Sequence, residues 1–166
     1  GKGNGGQLAG WCMAQGEEHG YHFGGDVYQR IELSENGLDC RIVPASDPVG
    51  EGTYNAAEFT PALIKDGEKI EDSFWTGEQP RACFGTGDQG VYMLIIEGRY
   101  PDEGIRGTSV NTCSDILLAY GCRNALNMDG GSSAILWYDG EYVTQSSSSF
   151  LRYTGGRPLP NAWVYG

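Results

Sequence analysis

The stretch Thr108–Leu136, "TSVNTCSDILLAYGCRNALNMDGGSSAIL", decides how the chain is organised. Thr108 or Ser109 can cap a helix and Gly121 can end it, because a hydroxyl satisfies a free amide at the start and glycine tolerates the reversal at the end. Between them Val110, Cys113, Leu117 and Tyr120 recur at helical spacing and are expected to face a core. A strand, Asn124–Met128, follows at once. Upstream, Val91–Ile96 is a continuous apolar run, as expected of a strand covered on both faces. Strand, helix and strand within about 40 residues make one crossover unit, and such units are usually parallel. A parallel crossover brings Glu97 and Asp129, the acids after the two strands, to one edge of one sheet.

Working outward, hairpins dominate. Val27, Ile31 and Leu33 form one arm of the first, Leu38, Ile42 and Val43 the other, with Asn36-Gly37 as the turn. A shorter hairpin turns at Asp66-Gly67 and a third at Asp139-Gly140. "GKGNGGQLAGW" reads as a flexible loop, "PASDPVGEGTYN" as a loop, "SSSSF" as a polar loop and Ala162–Tyr165 as a final strand. The expected fold class is α+β: a single domain over residues 1–166 with a mixed, mostly antiparallel sheet, several hairpins and one main helix.

The totals narrow the function. The 166 residues suit one domain with one sizeable core. With 22 acidic residues against 11 Lys and Arg the net charge is −11, which argues against nucleic acid as a partner, since phosphate backbones need clustered cations. No run is long enough to span a membrane. The five cysteines show no zinc-type spacing, and their odd number leaves at least one thiol outside any intrachain pairing. One or two disulfides would fit a secreted protein. No P-loop is present. His19 and His22, in "EHGYH", read as solvent-facing, so no metal and no cofactor is expected. Trp11, Trp75 and Trp137 read as core residues by default, with stacking on sugar faces as the alternative.

Four pieces can converge on one site: Asp129-Gly130-Gly131-Ser132-Ser133, Glu97-Gly98-Arg99, Pro80-Arg81 and Arg157-Pro158. Paired carboxylates suit glycosidic chemistry, one as nucleophile or ion stabiliser and the other as acid or base. Glycines let backbone N–H groups approach sugar hydroxyls or phosphate oxygens. The bland reading is turn glycines beside solvated charges.

The segments "PRACFGTGDQGVYMLIIEGR", "NALNMDGGSSAIL", "DGEYV" and "GGRPLPNAWV", in that order, resemble the phosphodiester glycosidase family, which includes the enzyme that uncovers mannose 6-phosphate. "NGGQLAGW" and "FTPALIKDGEKI" fit its earlier segments, so the resemblance covers nearly the whole chain. It implies hydrolysis of a sugar held through its anomeric oxygen to a phosphodiester, a carbohydrate or glycan phosphodiester as partner, and a secreted or cell-surface, bacterial-type setting. It places Arg81, Glu97, Arg99, Asn127, Asp129, Gly130, Gly131, Ser132 and Arg157 in the family's motifs. Asp129 is then the nucleophile or oxocarbenium stabiliser and Glu97 the base or a hydroxyl-binding residue. Arg81, Arg99 and Arg157 are candidates for a phosphate clamp or for structural ion pairs, and Asn127 and Ser132 orient sugar hydroxyls or close the turn. Members commonly carry Asp where Glu97 stands and an acid where Gly156 precedes the Arg-Pro motif. They also carry segments before the region where this chain begins. It is therefore expected to be amino-terminally truncated or naturally minimal, with an amino-terminal segment or second chain completing the fold. Two alternatives stay open: a glycoside hydrolase on ordinary linkages and a non-catalytic carbohydrate-binding module.

Overall fold

A computed structural model describes residues 8, 10–23, 25–37, 39–148 and 156–165. The strands β1 (Trp11–Ala14), β2 (Glu17–Gly20), β3 (Gln29–Leu33), β4 (Cys40–Pro44) and β5 (Asn55–Phe59) form one sheet in the order β2-β1-β5-β3-β4. A second sheet, ordered β7-β6-β10-β8-β9, holds β6 (Ala62–Lys65), β7 (Glu68–Lys69), β8 (Arg81–Gly87) and β9 (Gly90–Ile96). The helix α1 (Val110–Ala119) leads from β9 to its last member, β10 (Cys122–Asn127). A separate hairpin pairs β11 (Trp137–Tyr138) with β12 (Glu141–Tyr142). The fold is α+β and mostly antiparallel, as the sequence indicates.

Three layers follow from the alternation of strand side chains. Between the second sheet and α1, Leu63, Ile64, Cys83, Cys122 and Ala125 cluster with Val110, Cys113 and Leu117, the β6–β10 register shift at Leu63 breaking strict alternation there. On the sheet's other face, Ala62, Phe84 and Leu126 meet Ile31, Leu33 and Ile42 of the first sheet. Each fully buried Leu or Ile in these layers contributes about 1.5–3 kcal/mol. Ser109 caps α1, its hydroxyl accepting from the Thr112 amide at 3.2 Å. All five cysteines are free thiols.

Both β9 and β10 run antiparallel to β8, which lies between them, so they are parallel to each other. The crossover is therefore parallel with one strand inserted. The β5–β6 connection lies at the same end: the Asn127 amide donates to the Pro61 carbonyl at 3.0 Å and its Nδ2 to Thr60 O at 2.8 Å. At the other end, Asn124 Nδ2 donates to Cys40 O at 3.1 Å.

The structure departs from the sequence reading at several points. Tyr120 is exposed rather than in the core, because it is the cap residue past the last helical turn: its amide closes back on Ile116 O and Leu117 O, its carbonyl accepts from the Tyr92 hydroxyl, and its ring is left in solvent. The run Val91–Ile96 is an edge strand, each residue half-buried. Ala162–Tyr165 forms no strand; Trp163 stacks on Phe84 and Val164 faces solvent. Val27 lies before the first hairpin's strand, and Leu38, Ser149, Phe150 and residues 1–7 lie outside the described residues. Trp11 is buried, as the default reading has it, whereas Trp75 and Trp137 are exposed. Among the described residues no helix is long and apolar enough to cross a membrane.

Candidate active site

The edge at which β9 and β10 end carries the loop Asp129–Ser133. Two close approaches fix that loop. A Cβ on Gly130 would sit 2.5 Å from the Pro80 carbonyl oxygen, and the Gly131 amide donates to the same oxygen at 3.1 Å. Gly131 has φ 58°, and a Cβ there would meet the Arg99 guanidinium at 3.1–3.3 Å. Backbone contact with Pro80 requires glycine at 130, and the left-handed φ with the Arg99 guanidinium close by favours it at 131, so the loop packs against Pro80 and Arg99.

Asp129 leaves the loop into solvent. Its Oδ2 accepts from the Ser133 hydroxyl at 2.6 Å and from Arg157 Nη2 at 2.8 Å. Arg157 also reaches Ser133 Oγ through Nη2 and Nε, at 2.6 and 3.1 Å. The side chains of Arg157 and Asp129 are 46% and 57% exposed, so solvent or a ligand can compete for the pair. Among the described residues nothing engages Oδ1 of Asp129. Arg99 arrives from the other side. Its backbone is left-handed, φ 68°, a conformation uncommon outside glycine, and its Nε donates to Gln79 Oε1 at 3.0 Å. Two half-exposed to exposed guanidinium groups thus flank one exposed carboxylate in a molecule of net charge −11.

Glu97 stands at the end of β9, half-buried, with Oε1 accepting the Gln145 amide at 2.6 Å. The inserted strand β8 separates it from Asp129, so their main chains lie about 10 Å apart, two strand spacings. Tyr100 ties the neighbouring segment to Ser146, its hydroxyl donating to that carbonyl at 2.8 Å. Two buried side-chain atoms among the described residues have no hydrogen-bond partner: Asn127 Oδ1 and Ser147 Oγ. Both belong to segments at this edge, Asn127 ending β10 and Ser147 two residues after Gln145. Burying an unpaired polar atom costs about 1–3 kcal/mol.

Of the residues singled out in the sequence, the structure brings together Asp129, Gly130, Gly131, Arg99 and Arg157, with Glu97 at the same edge. Arg81 takes a different part. It is buried, its Nε donates to Thr108 O at 2.9 Å, and its Nη2 donates to Gly77 O at 2.8 Å and Trp75 O at 3.3 Å. Burial pulls its pKa down from the usual arginine value. It organises the 75–79 loop and the entry to α1. Asn127 is buried with its amide on Thr60 O, leaving its oxygen unengaged. Ser133, not Ser132, is the hydroxyl that reaches Asp129. Ser147, Gln79 and Gln145 are residues at this edge that sequence reasoning missed. The uninterrupted serines at 132–133 and 146–148 are a sequence signal for hydroxyls near this edge, and nothing comparable marks the two glutamines. His22 meets the buried Glu58 carboxylate in the first sheet. Among the described residues no three His, Cys, Asp or Glu side chains cluster to hold a metal ion. Two hollows of about 410 and 360 Å³ open elsewhere, one lined by His22, Phe23 and Ala45–Val49, the other by Asp39, Cys40, Thr86–Asp88 and Arg123.

The family model for phosphodiester glycosidases matches residues 5–165. The fold is similar to the zebrafish N-acetylglucosamine-1-phosphodiester alpha-N-acetylglucosaminidase catalytic domain, auto-inhibited by its pro-peptide. The TM-score is 0.62 at 16% identity, over 94% of this chain and 56% of that one. A hypothetical protein from Synechocystis matches with TM-score 0.44 and 18% identity, over 74% of this chain and 31% of that one. No curated protein matches the sequence.

Proposed function

Because the chain belongs to the phosphodiester glycosidase family, we propose that it hydrolyses a sugar-1-phosphodiester, releasing free sugar and a phosphomonoester. The observation that carries the reading is the Asp129 carboxylate, with one oxygen tied by Ser133 and Arg157 and the other without a partner among the described residues, on a loop flanked by Arg99.

The bond that breaks joins the anomeric carbon to a phosphate oxygen. The departing phosphomonoester has its second pKa at about 6, so it leaves as an anion without full protonation. What the site must supply is support for that anion and for a cationic sugar ring. Arg99 and Arg157 meet the first demand with forked, charge-assisted hydrogen bonds. Asp129 meets the second, as nucleophile or as stabiliser of the oxocarbenium ion, through Oδ1. Glu97 activates water or binds a sugar hydroxyl. Asn127, buried with its amide on Thr60 O, is a positioning residue that holds the end of β10 beneath the loop. Arg81 is a positioning residue, holding the loop against which Gly130 packs.

The name of the zebrafish protein makes N-acetylglucosamine the first sugar to try. The test incubates the chain with methyl α-N-acetylglucosaminyl phosphodiester and with a matching aryl glycoside, following free sugar and methyl phosphate by NMR. Faster release from the phosphodiester is expected. Equal rates would remove the clamp from the account, and no release from either would reject the reading for this sugar.

A further inference from the structure

We propose that the β11–β12 hairpin is a stacking platform for neutral sugar residues of a glycan substrate beyond the scissile linkage. The inference rests on the reading of Asp129 as a sugar-phosphodiester site.

The hairpin is an exposed apolar projection. Trp137, Tyr138 and Tyr142 are 61%, 72% and 54% exposed, and Val143 faces solvent as well. A two-stranded hairpin is marginal in water by itself, and clustered exposed aromatics mark a surface that meets something. Its geometry sorts the rings. Asp139 and Gly140 have φ 48° and 86°, the double positive of a tight hairpin turn. Tyr138 pairs with Glu141 next to that turn, and Trp137 pairs with Tyr142 one step further out. Directly opposed residues share a face, so Trp137 and Tyr142 present two rings side by side, while Tyr138 lies on the opposite face.

The hairpin grows out of the candidate site. Ala134 follows the Asp129–Ser133 loop and is buried, and the Val143 amide donates to Leu136 O at 2.9 Å. The Leu136 amide in turn donates to Thr144 Oγ1 at 2.8 Å, and the next residue, Gln145, binds Glu97. One arm is therefore anchored at the proposed nucleophile and the other at the proposed base. Trp137 and Tyr142 stand one strand residue, about 3.4 Å, beyond the Leu136–Val143 hydrogen bond.

Charge selects the occupant. The hairpin carries Asp139 and Glu141 and no cation, in a chain of net charge −11. An anionic lipid surface or a nucleic acid is repelled. A pyranose presents a neutral face of C–H groups, which lies against an aromatic ring without opposing charge.

The experiment is calorimetric titration with three neutral tetrasaccharides, chitotetraose, cellotetraose and maltotetraose. Because stacking reads a ring face, weak binding to at least one is expected in the wild type. Asp129→Asn should bind equally, so this result stands or falls apart from turnover. Trp137→Ala with Tyr142→Ala should weaken binding at least about tenfold, whereas Tyr138→Ala, on the other face, should leave it unchanged. No binding to any of the three overturns the proposal. So does an equal loss in Tyr138→Ala, which would report the hairpin's folding instead of its Trp137 face. Sedimentation showing a dimer that dissociates in the double variant, with no sugar bound, would assign the face to a second copy and also overturn it.

Discussion

Replacing Arg157 with alanine separates a substrate clamp from a structural ion pair, because the two predict opposite outcomes. Arg157 makes three hydrogen bonds, one to Asp129 Oδ2 at 2.8 Å and two to Ser133 Oγ. With both side chains of the ion pair near half exposure, solvent screens it, and its loss costs about 0–1 kcal/mol of stability. In the proposed reaction the same guanidinium faces charge that develops as the phosphate departs. Removing one such donor typically costs about 10²–10³ in rate. The urea midpoint should therefore barely move, while kcat/KM on the sugar phosphodiester falls about 100-fold. Turnover of a matching aryl glycoside, whose leaving group lacks the phosphate, should fall far less. Arg157→Lys should recover only part, since an ammonium lacks the planar fork. A stability loss above about 2 kcal/mol with near-normal phosphodiester turnover would refute the clamp. Equal losses on both substrates would refute its specificity for phosphate.

Three further outcomes follow from other parts of the molecule. Gly130→Ala places a methyl 2.5 Å from the Pro80 carbonyl, so the loop must shift and activity should fall at least about tenfold in a protein that still folds; a normal rate would show the loop adapts. Arg81→Met leaves the Thr108, Gly77 and Trp75 carbonyls short of a donor and should lower stability by about 2–4 kcal/mol in urea unfolding, an effect absent if the arginine mainly served substrate. Burial pushes the Cys122 thiol up to about 11 from an ordinary 9.0, so the unfolded chain ionises first. Its contribution is fully present below pH 9 and is lost as pH rises toward 11, about 2–3 kcal/mol in all. Burial raises the Cys40 thiol to about 11 as well, so Cys122→Ala should lessen that alkaline decline without abolishing it, and an unchanged slope would remove Cys122 as a source.

The sequence discloses the parts of the fold that carry strong local signals. The hydroxyl of Ser109, the spacing of Val110, Cys113 and Leu117, and the turns at Asn36-Gly37, Asp66-Gly67 and Asp139-Gly140 each act within a few residues, and each is found. The parallel relation of β9 and β10 follows from the crossover, and it puts Glu97 and Asp129 at one edge. What stays hidden depends on partners far along the chain. β2 is "EEHG", exposed throughout, and is a strand only because β1 pairs with it. β5 offers "NAAEF", whose short side chains give no apolar alternation, yet it is central in its sheet. β8 carries polar and small residues that mask a strand lying between β10 and β9. On β3, alternation sends Ile31 and Leu33 to the core and suggests a wet face for Arg30 and Glu32. Both are buried instead, because Arg30 binds Glu32, Glu58 and the carbonyls of Ala45, Asp47 and Pro48, while Arg41 closes on Glu32. Burial would raise the Glu32 pKa, but its hydrogen bonds to the two arginines hold it below the usual value. At the site, the motif residues were legible as types, but the inward turn of Arg81 and the choice of Ser133 over Ser132 are set by tertiary contacts.

The most direct test of the account is the turnover of Asp129→Asn on methyl α-N-acetylglucosaminyl phosphodiester, measured by release of free sugar. Asparagine keeps the size and the Ser133 contact but removes the negative charge. The account predicts a fall of at least about 10³-fold with an unchanged unfolding midpoint. Release at the wild-type rate would contradict it.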